Sequence, residues 1–172
     1  YLVQDGNGLW MDQYDKGWSW VDADAETGNK YLVLSGAEGE ATIDFWFNGV
    51  TAGSTVEFDF RMPAASSGWD RLAVALGSSD VNYSWCFEQW QGWTSVKYPD
   101  WDGNTQTVNE AFQIGTWYSV KMEWSGDGIS VKLWQQGTEE PAEYNYITWN
   151  SAFAAGSDAR FNFVTNAQSY LH

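Results

Sequence analysis

The sequence predicts an all-β protein, an antiparallel β-sandwich of two packed sheets. Apolar residues alternate with polar ones at a period of two in several runs, and short segments with Gly, Asp or Asn separate these runs. No ten-residue stretch shows the one-sided apolar pattern of a surface helix. Strands with one apolar and one polar face are buried efficiently when two sheets pack together. The 172 residues contain no linker-like segment, so we expect residues 1–172 to form a single domain.

The strands can be placed in order along the chain. The clearest run is 40–47, where Ile43, Phe45 and Phe47 alternate with other residues. The predicted strands are residues 40–47, 54–62, 71–77, 82–90, 94–98, 116–125, 129–135 and 160–165. The turn at 51–53 contains Gly, and the turn at 126–128 contains Gly and Asp; both residue types tolerate the positive φ that hairpins require. We expect about ten to twelve strands, an irregular N-terminal segment around Trp10 and Trp18, and one helical turn at 150–155.

Tryptophan is the most informative residue type, with thirteen in the chain. An indole buries roughly 150–250 Å² and is seldom fully hidden, so a domain of this size can bury only some of them. Trp20 and Trp124 are predicted to lie in the core, whereas Trp117 is out of phase with the neighbouring aliphatic residues. The indoles that do not fit in the core are expected to contact a ligand, and a sugar ring offers apolar C–H faces and hydroxyl edges.

The charge balance narrows the ligand class. The chain has 8 Lys plus Arg against 23 Asp plus Glu, a net charge of −15. Nucleic acids and anionic membranes need cations to offset their phosphates, so neither is an expected partner. A neutral polysaccharide remains compatible with this charge. The acidity and low lysine content also favour an extracellular, secreted bacterial protein.

The segments GNKYLVLSG at 28–36, GSTVEFDFR at 53–61, TWYSVKMEW at 116–124 and ISVKLW at 129–134 occur in a recognisable order. This order resembles the concanavalin-like and laminin-G-like jelly rolls, a group that includes many carbohydrate-binding modules of bacterial glycoside hydrolases. The resemblance covers about residues 17–170. It implies a jelly-roll sandwich, a monomer, and a parent protein in which the module is appended to a catalytic domain.

The predicted ligand-binding set combines indoles with polar side chains. Its members are Trp69, Arg71, Tyr83, Trp85, Gln89, Trp90, Trp93, Trp101 and Trp134. Strand alternation puts Tyr83 and Trp85 on one face and Trp90 on the other, so one of Trp85 and Trp90 should belong to the core.

The predicted surroundings of the site come from three further segments. Ala73 and Ala75 should form a shallow floor beside Arg71, walled by loop residues Trp69 and Trp101. Trp134 is predicted to be exposed because it is out of phase with its aliphatic neighbours. The predicted function is non-catalytic binding of plant cell-wall β-glucan or hemicellulose, which targets a parent glycoside hydrolase.

Two alternative functions stay open, a glycoside hydrolase of the jelly-roll class and a protein-binding adhesion domain. Retaining hydrolysis needs two carboxyl groups about 5–5.5 Å apart. The laminarinase-like relatives carry Glu-x-Asp-x-x-Glu on one strand, and the nearest match, residues 57–62, ends in Met62 instead of an acid. Glu88 and Glu123 are a second carboxylate pair to consider. The incomplete pattern predicts that the chain is not an enzyme.

No cofactor is expected to be required. Residues 22–28 place Asp22, Asp24 and Glu26 at alternate positions before a glycine, but the twelfth position of a calcium loop would be Val33, so an EF-hand is excluded. A structural Ca²⁺ held by Asp5, Asp22 or Asp24 is the one candidate metal site, and acidic surface loops are the favoured interpretation of these residues.

Overall fold

The computed structural model is an antiparallel β-sandwich, which confirms the predicted fold class. It describes residues 2–4, 9–15, 18–23, 30–35, 41–48, 52–62, 69–76, 85–99, 105–125, 128–149, 158–165 and 168–171. Every regular element within these ranges is a strand. Among the same residues, no helix is long and apolar enough to cross a membrane.

Eight strands form one sheet, named sheet A. In spatial order they are β1 (Leu2–Gln4), β2 (Leu9–Asp15), β5 (Ala41–Asn48), β14 (Asp158–Thr165), β7 (Trp69–Leu76), β8 (Trp85–Trp90), β9 (Trp93–Pro99) and β10 (Thr105–Asn109). Seven strands form sheet B. Their spatial order is β13 (Tyr146–Trp149), β12 (Gly128–Gln135), β11 (Tyr118–Trp124), β6 (Thr55–Arg61), β15 (Gln168–Leu171), β4 (Lys30–Ser35) and β3 (Trp18–Ala23).

All eight predicted strands are present, and within the described residues their ends differ from the predicted ones by at most two residues. The prediction of an irregular N-terminal segment was wrong, because Trp10 lies in β2 and Trp18 begins β3. The run 9–15 lacks a clean apolar and polar alternation, and its strand conformation comes from pairing with β5 along the whole of its length. The predicted helical turn at 150–155 lies outside the described residues.

The core lies between the sheets and is rich in aromatic rings. Alternate residues of β6, β8 and β11 point inward, as in the burial of Phe58 and Phe60 from sheet B against Phe87 from sheet A. The ring centroids of Phe60 and Phe87 are 5.2 Å apart, within the range of favourable aromatic pairs. Trp124 is 3% exposed in this cluster, which confirms its predicted core position.

The remaining alternate residues of each sheet point away from the core, and these two surfaces are named the outer faces of sheets A and B. On the outer face of sheet A, β7 contributes Trp69 and Arg71, and β8 contributes Glu88 and Trp90. Directly opposed residues of antiparallel strands share a face, so the strand pairing alone decides which of these side chains become neighbours.

Candidate ligand-binding site

Three tryptophans form a row across adjacent strands on the outer face of sheet A, at one end of the sheet. Trp69 of β7 is directly opposite Trp90 of β8, and Trp90 is directly opposite Trp93 of β9. The three indoles, named the Trp row, are 36%, 62% and 72% exposed, respectively. Two strand spacings make the row about 10 Å wide. A large, contiguous aromatic surface of this kind is typical of an interaction site.

A tight turn places Trp90 beside Trp93. Gln91 and Gly92 connect β8 to β9 with φ of 51° and 92°. Positive φ at both central residues is the mark of a type I′ turn, whose twist matches that of paired strands. The Gly92 N–H also donates a hydrogen bond to Gln89 Oε1 at 3.2 Å. The hairpin therefore holds two indoles in fixed register at the rim of the sheet.

Glu88 lies beside the Trp row and binds three side chains. Its Oε2 accepts a hydrogen bond from Trp69 Nε1 at 3.1 Å, and its Oε1 accepts one from Ser95 Oγ at 3.1 Å. Lys97 Nζ forms an ion pair with the same carboxylate. These contacts fix the edge of the Trp69 ring. The side chain of Lys97 remains at the surface and is 41% exposed.

Arg71 links the Trp row to a polar band that continues across the sheet. Its guanidinium lies 4.5 Å from the centre of the Trp69 ring, close enough for a cation–π interaction. Its Nη2 donates a hydrogen bond to Asn162 Oδ1 at 2.6 Å. The Asn162 amide donates to Asp44 Oδ1 at 3.0 Å, and Asp44 accepts two further bonds from Arg160, each 3.0 Å. The outer face of sheet A thus carries an aromatic rim followed by a charged, mutually hydrogen-bonded band.

The structure brings together four of the predicted ligand-binding residues, Trp69, Arg71, Trp90 and Trp93. Trp69 was predicted in a loop and instead begins β7, where pairing with Trp90 orients it. Glu88 also belongs to this site and was not among the predicted ligand-binding residues. The signal was its two-residue spacing from Trp90, which gives both side chains the same strand face.

The prediction that Trp85 presents an exposed indole was wrong. Trp85 points into the core, is 0% exposed, and stacks on Tyr98 with ring centroids 4.4 Å apart. The cause is the odd spacing between Trp85 and Trp90, which puts them on opposite faces of β8. Of the two alternatives that the alternation allowed, Trp85 is the core residue and Trp90 is the exposed one.

The prediction that Gln89 reaches a ligand was also wrong. Gln89 is 0% exposed and shares the inner face with Trp85. Its amide donates to Asp70 Oδ2, and Asp70 also accepts a hydrogen bond from Thr165 Oγ1 at 2.9 Å. These buried polar groups satisfy one another within the sandwich, which is the usual condition for burying them.

The predicted open floor beside Arg71 is absent at Ala73, which is only 1% exposed. Polar residues of the neighbouring strands, rather than a bare small-residue surface, line this part of the face. The predicted residues Tyr83 and Trp101 lie outside the described residues, as does the side chain of Ala75. Trp134 is partly exposed as predicted, but it lies on sheet B, on the other side of the sandwich from the Trp row.

Two candidate carboxylate pairs, Glu88 with Glu123 and Asp44 with Glu88, do not have the geometry of a glycosidase pair. Glu88 lies on the outer face of sheet A and Glu123 lies on β11 of sheet B, so the two side chains point to opposite sides of the sandwich. Asp44 and Glu88 share a face but are three strands apart, roughly 14 Å, beyond the spacing of either hydrolytic mechanism. Met62, at the acid position of the motif, is 1% exposed in the core.

Metal binding was predicted only at Asp5, Asp22 or Asp24. Asp5 and Asp24 lie outside the described residues, and Asp22 lies in β3 with its backbone paired to Tyr31. Within the described ranges, no group of three His, Cys, Asp or Glu side chains is arranged to hold a metal ion. The calcium site stays a prediction.

No protein-family model and no curated protein matches the chain. Solved structures with the same fold include the botulinum neurotoxin serotype D binding domain, which is 13% identical with a TM-score of 0.54 over 97% of this chain and 42% of that chain. The binding domain of Paraclostridial Mosquitocidal Protein 1 is 12% identical, with a TM-score of 0.53 over 99% of this chain and 46% of that chain. A point mutant of HCR/D is 14% identical, with a TM-score of 0.54 and coverages of 99% and 43%.

The chain therefore spans less than half of each of these structures. At such low identities the likeness concerns the fold alone. It supports the β-sandwich implied by the sequence resemblance, but not membership of the carbohydrate-binding modules of glycoside hydrolases. The chain is a β-sandwich that shares its fold with binding domains of toxins.

Proposed function

We propose that the protein is a non-catalytic carbohydrate-binding module that binds a β-glucan or hemicellulose chain across the Trp row. The observation that carries the proposal is the placement of three exposed indoles side by side on three paired strands. Flat rings in a row match the flat, apolar faces of successive sugar units. Tryptophans also offer large contact areas with little loss of side-chain freedom on binding.

The groups around the Trp row fit the hydroxyl edges of the same ligand. Arg71 and Lys97 supply donors, while the buried Glu88, which accepts a hydrogen bond from Ser95, positions Lys97 and the Trp69 ring. The contacts among these side chains hold them in position before a ligand arrives, which lowers the entropy lost on binding. The charge of Lys97 is balanced locally by Glu88, in a chain whose net charge is −15. A neutral glycan suits this surface better than a polyanion.

The module is appended to a larger, secreted glycoside hydrolase in this proposal. A secreted parent glycoside hydrolase would gain local concentration on its substrate from an appended binding domain. The fold is shared with binding domains that are parts of larger chains, which supports binding rather than catalysis.

Replacing Trp90 with alanine is expected to weaken glycan binding by roughly 5- to 150-fold without destabilising the fold. The range corresponds to a loss of about 1–3 kcal/mol for one stacked aromatic ring, as measured for bases. Affinity gel electrophoresis against xyloglucan, mixed-linkage glucan, glucomannan and xylan measures the effect. The control is Ile147→Ala, which truncates another exposed apolar side chain, 51% exposed, on sheet B. Failure of all four glycans to retard the wild-type protein would refute the proposal.

A protein-binding adhesion domain is the second candidate, and the exposure of the Trp row favours it as well, because Trp and Arg are enriched among residues that dominate protein interfaces. Competition between a protein partner and free glycans distinguishes the two functions. A protein partner captured through the Trp row and not displaced by any of the four glycans would support the adhesion domain. Displacement by a glycan would support the carbohydrate-binding module.

A further inference from the structure

A second aromatic and polar surface occupies the outer face of sheet B. Ser119 of β11 is directly opposite Asp59 of β6 on one side and Trp134 of β12 on the other, so these three side chains form a row. A pocket of about 320 Å³ opens over this row, lined also by Glu57. Its volume lies at the lower end of the range for small-molecule sites.

The neighbouring positions extend this row. Trp117 immediately precedes β11, and its carbonyl accepts a hydrogen bond from the Gln136 backbone N–H at 2.9 Å. Trp117 therefore lies diagonally from Trp134, where the expected separation is about 7–8 Å. The guanidinium of Arg61 lies 5.2 Å from the centre of the Trp117 ring. Two partly buried indoles thus flank the hydroxyl of Ser119.

The polar groups of this surface are held in place. Gln136 Nε2 donates a hydrogen bond to Asp59 Oδ2 at 2.9 Å, which orients the carboxylate at the pocket. Glu57 is paired with Lys121 at 3.3 Å. The pocket therefore presents one indole, one hydroxyl group and two anchored carboxylates, a combination that can stack on a sugar ring and accept hydrogen bonds from its hydroxyl groups.

The chemistry parallels that of the Trp row although the two surfaces share no residue. Each has an arginine against an indole, at 4.5 Å for Arg71 and 5.2 Å for Arg61. Each also has a carboxylate fixed by a neighbouring donor, Glu88 on sheet A and Asp59 on sheet B. The two surfaces face opposite directions, since packed sheets lie about 10 Å apart and each surface is on an outer face.

We infer that the pocket at Asp59, Ser119 and Trp134 is a second glycan-binding site, and that one module bridges two polysaccharide chains. The ligand class rests on the proposed function, whereas the site does not depend on the Trp row. A straight polysaccharide chain bound on one outer face cannot reach the site on the opposite outer face, so the two sites bind different chains. Two sites on one protein would cross-link chains and raise the overall avidity for an insoluble glycan.

The test combines stoichiometry with cross-linking. Calorimetric titration of the wild-type protein with a short oligosaccharide of the bound glycan is expected to give two sites per chain, and mixing with the soluble polysaccharide is expected to raise its viscosity. Trp134→Ala should leave one site per chain and abolish the rise in viscosity. Asp59→Ala should weaken the same site without removing the indole, and Ile147→Ala should behave as the wild type does.

The outcomes separate this inference from the proposed function. Trp90→Ala should also leave one site per chain, and if it has no effect while Trp134→Ala removes binding, the second site stands and the Trp row fails. Two sites and undiminished cross-linking in Trp134→Ala would overturn the inference. Binding of tetramethylammonium at this pocket, with no oligosaccharide bound there, would overturn it in favour of a cation site. A single site in the wild-type protein that Trp134→Ala leaves intact would overturn it as well.

Discussion

Replacing Trp85 with alanine is expected to destabilise the protein by about 3–5 kcal/mol, the cost of deleting a large aromatic side chain from a packed core. Trp85 is 0% exposed, and its ring is stacked on Tyr98 with an interplanar angle of 9°. Among the described residues, its buried Nε1–H has no hydrogen-bond partner. Trp85→Phe should therefore cost less than Trp85→Ala, because it keeps a ring and removes an unsatisfied donor. Urea denaturation measures both changes.

Glycan binding by the two Trp85 variants, compared with that of Trp90→Ala, is the control for this prediction. Under conditions where they remain folded, both Trp85 variants should bind glycan as the wild type does, whereas Trp90→Ala should weaken binding at the Trp row and keep its stability. The reverse pattern, a stable Trp85→Ala protein that no longer binds, would place Trp85 at the ligand surface and contradict the orientation of β8.

Replacing Asp44 with alanine is expected to destabilise the protein by about 3–5 kcal/mol through a different cause. Asp44 is 1% exposed and accepts two hydrogen bonds from Arg160 and one from Asn162. Removing one partner of a largely buried ion pair leaves the other charge without compensation. The free energy of unfolding in urea gives the effect directly.

An exposed ion pair provides the matched control. Lys132 Nζ lies 2.8 Å from Glu140 Oε1, and the side chain of Glu140 is 42% exposed. Glu140→Ala should change the free energy of unfolding by no more than about 1 kcal/mol, because solvent screens such pairs. If Asp44→Ala were as mild as Glu140→Ala, the polar band on sheet A would not be the stabilising feature described above.

The fold was largely predictable because alternation is a local property. In β6, residues 56, 58 and 60 are apolar, and the structure buries Phe58 and Phe60 as the pattern requires. The strand β2 was missed because residues 9–15 do not alternate cleanly between apolar and polar, and the conformation of this strand depends on pairing with β5. A single-sequence pattern carries no information about such a partner.

The candidate site was predictable only in part. Alternation showed that Trp85 and Trp90 face opposite ways, but it did not show which face of β8 meets the core. The polar band was invisible in the sequence, because Arg71 meets Asn162 across 91 residues of chain. That contact exists because β14 lies between β5 and β7, an arrangement that strand patterns do not specify.

The central claim is that the Trp row is the glycan-binding surface, and the indole N–H signals of the isotopically labelled protein test it most directly. Single Trp→Phe variants assign the signals, and the protein is then titrated with the glycan that retards it most. The signals of Trp69, Trp90 and Trp93 are expected to shift, while those of the core residues Trp85 and Trp124 stay in place. Saturable binding that leaves all three signals of the Trp row unmoved would contradict the claim.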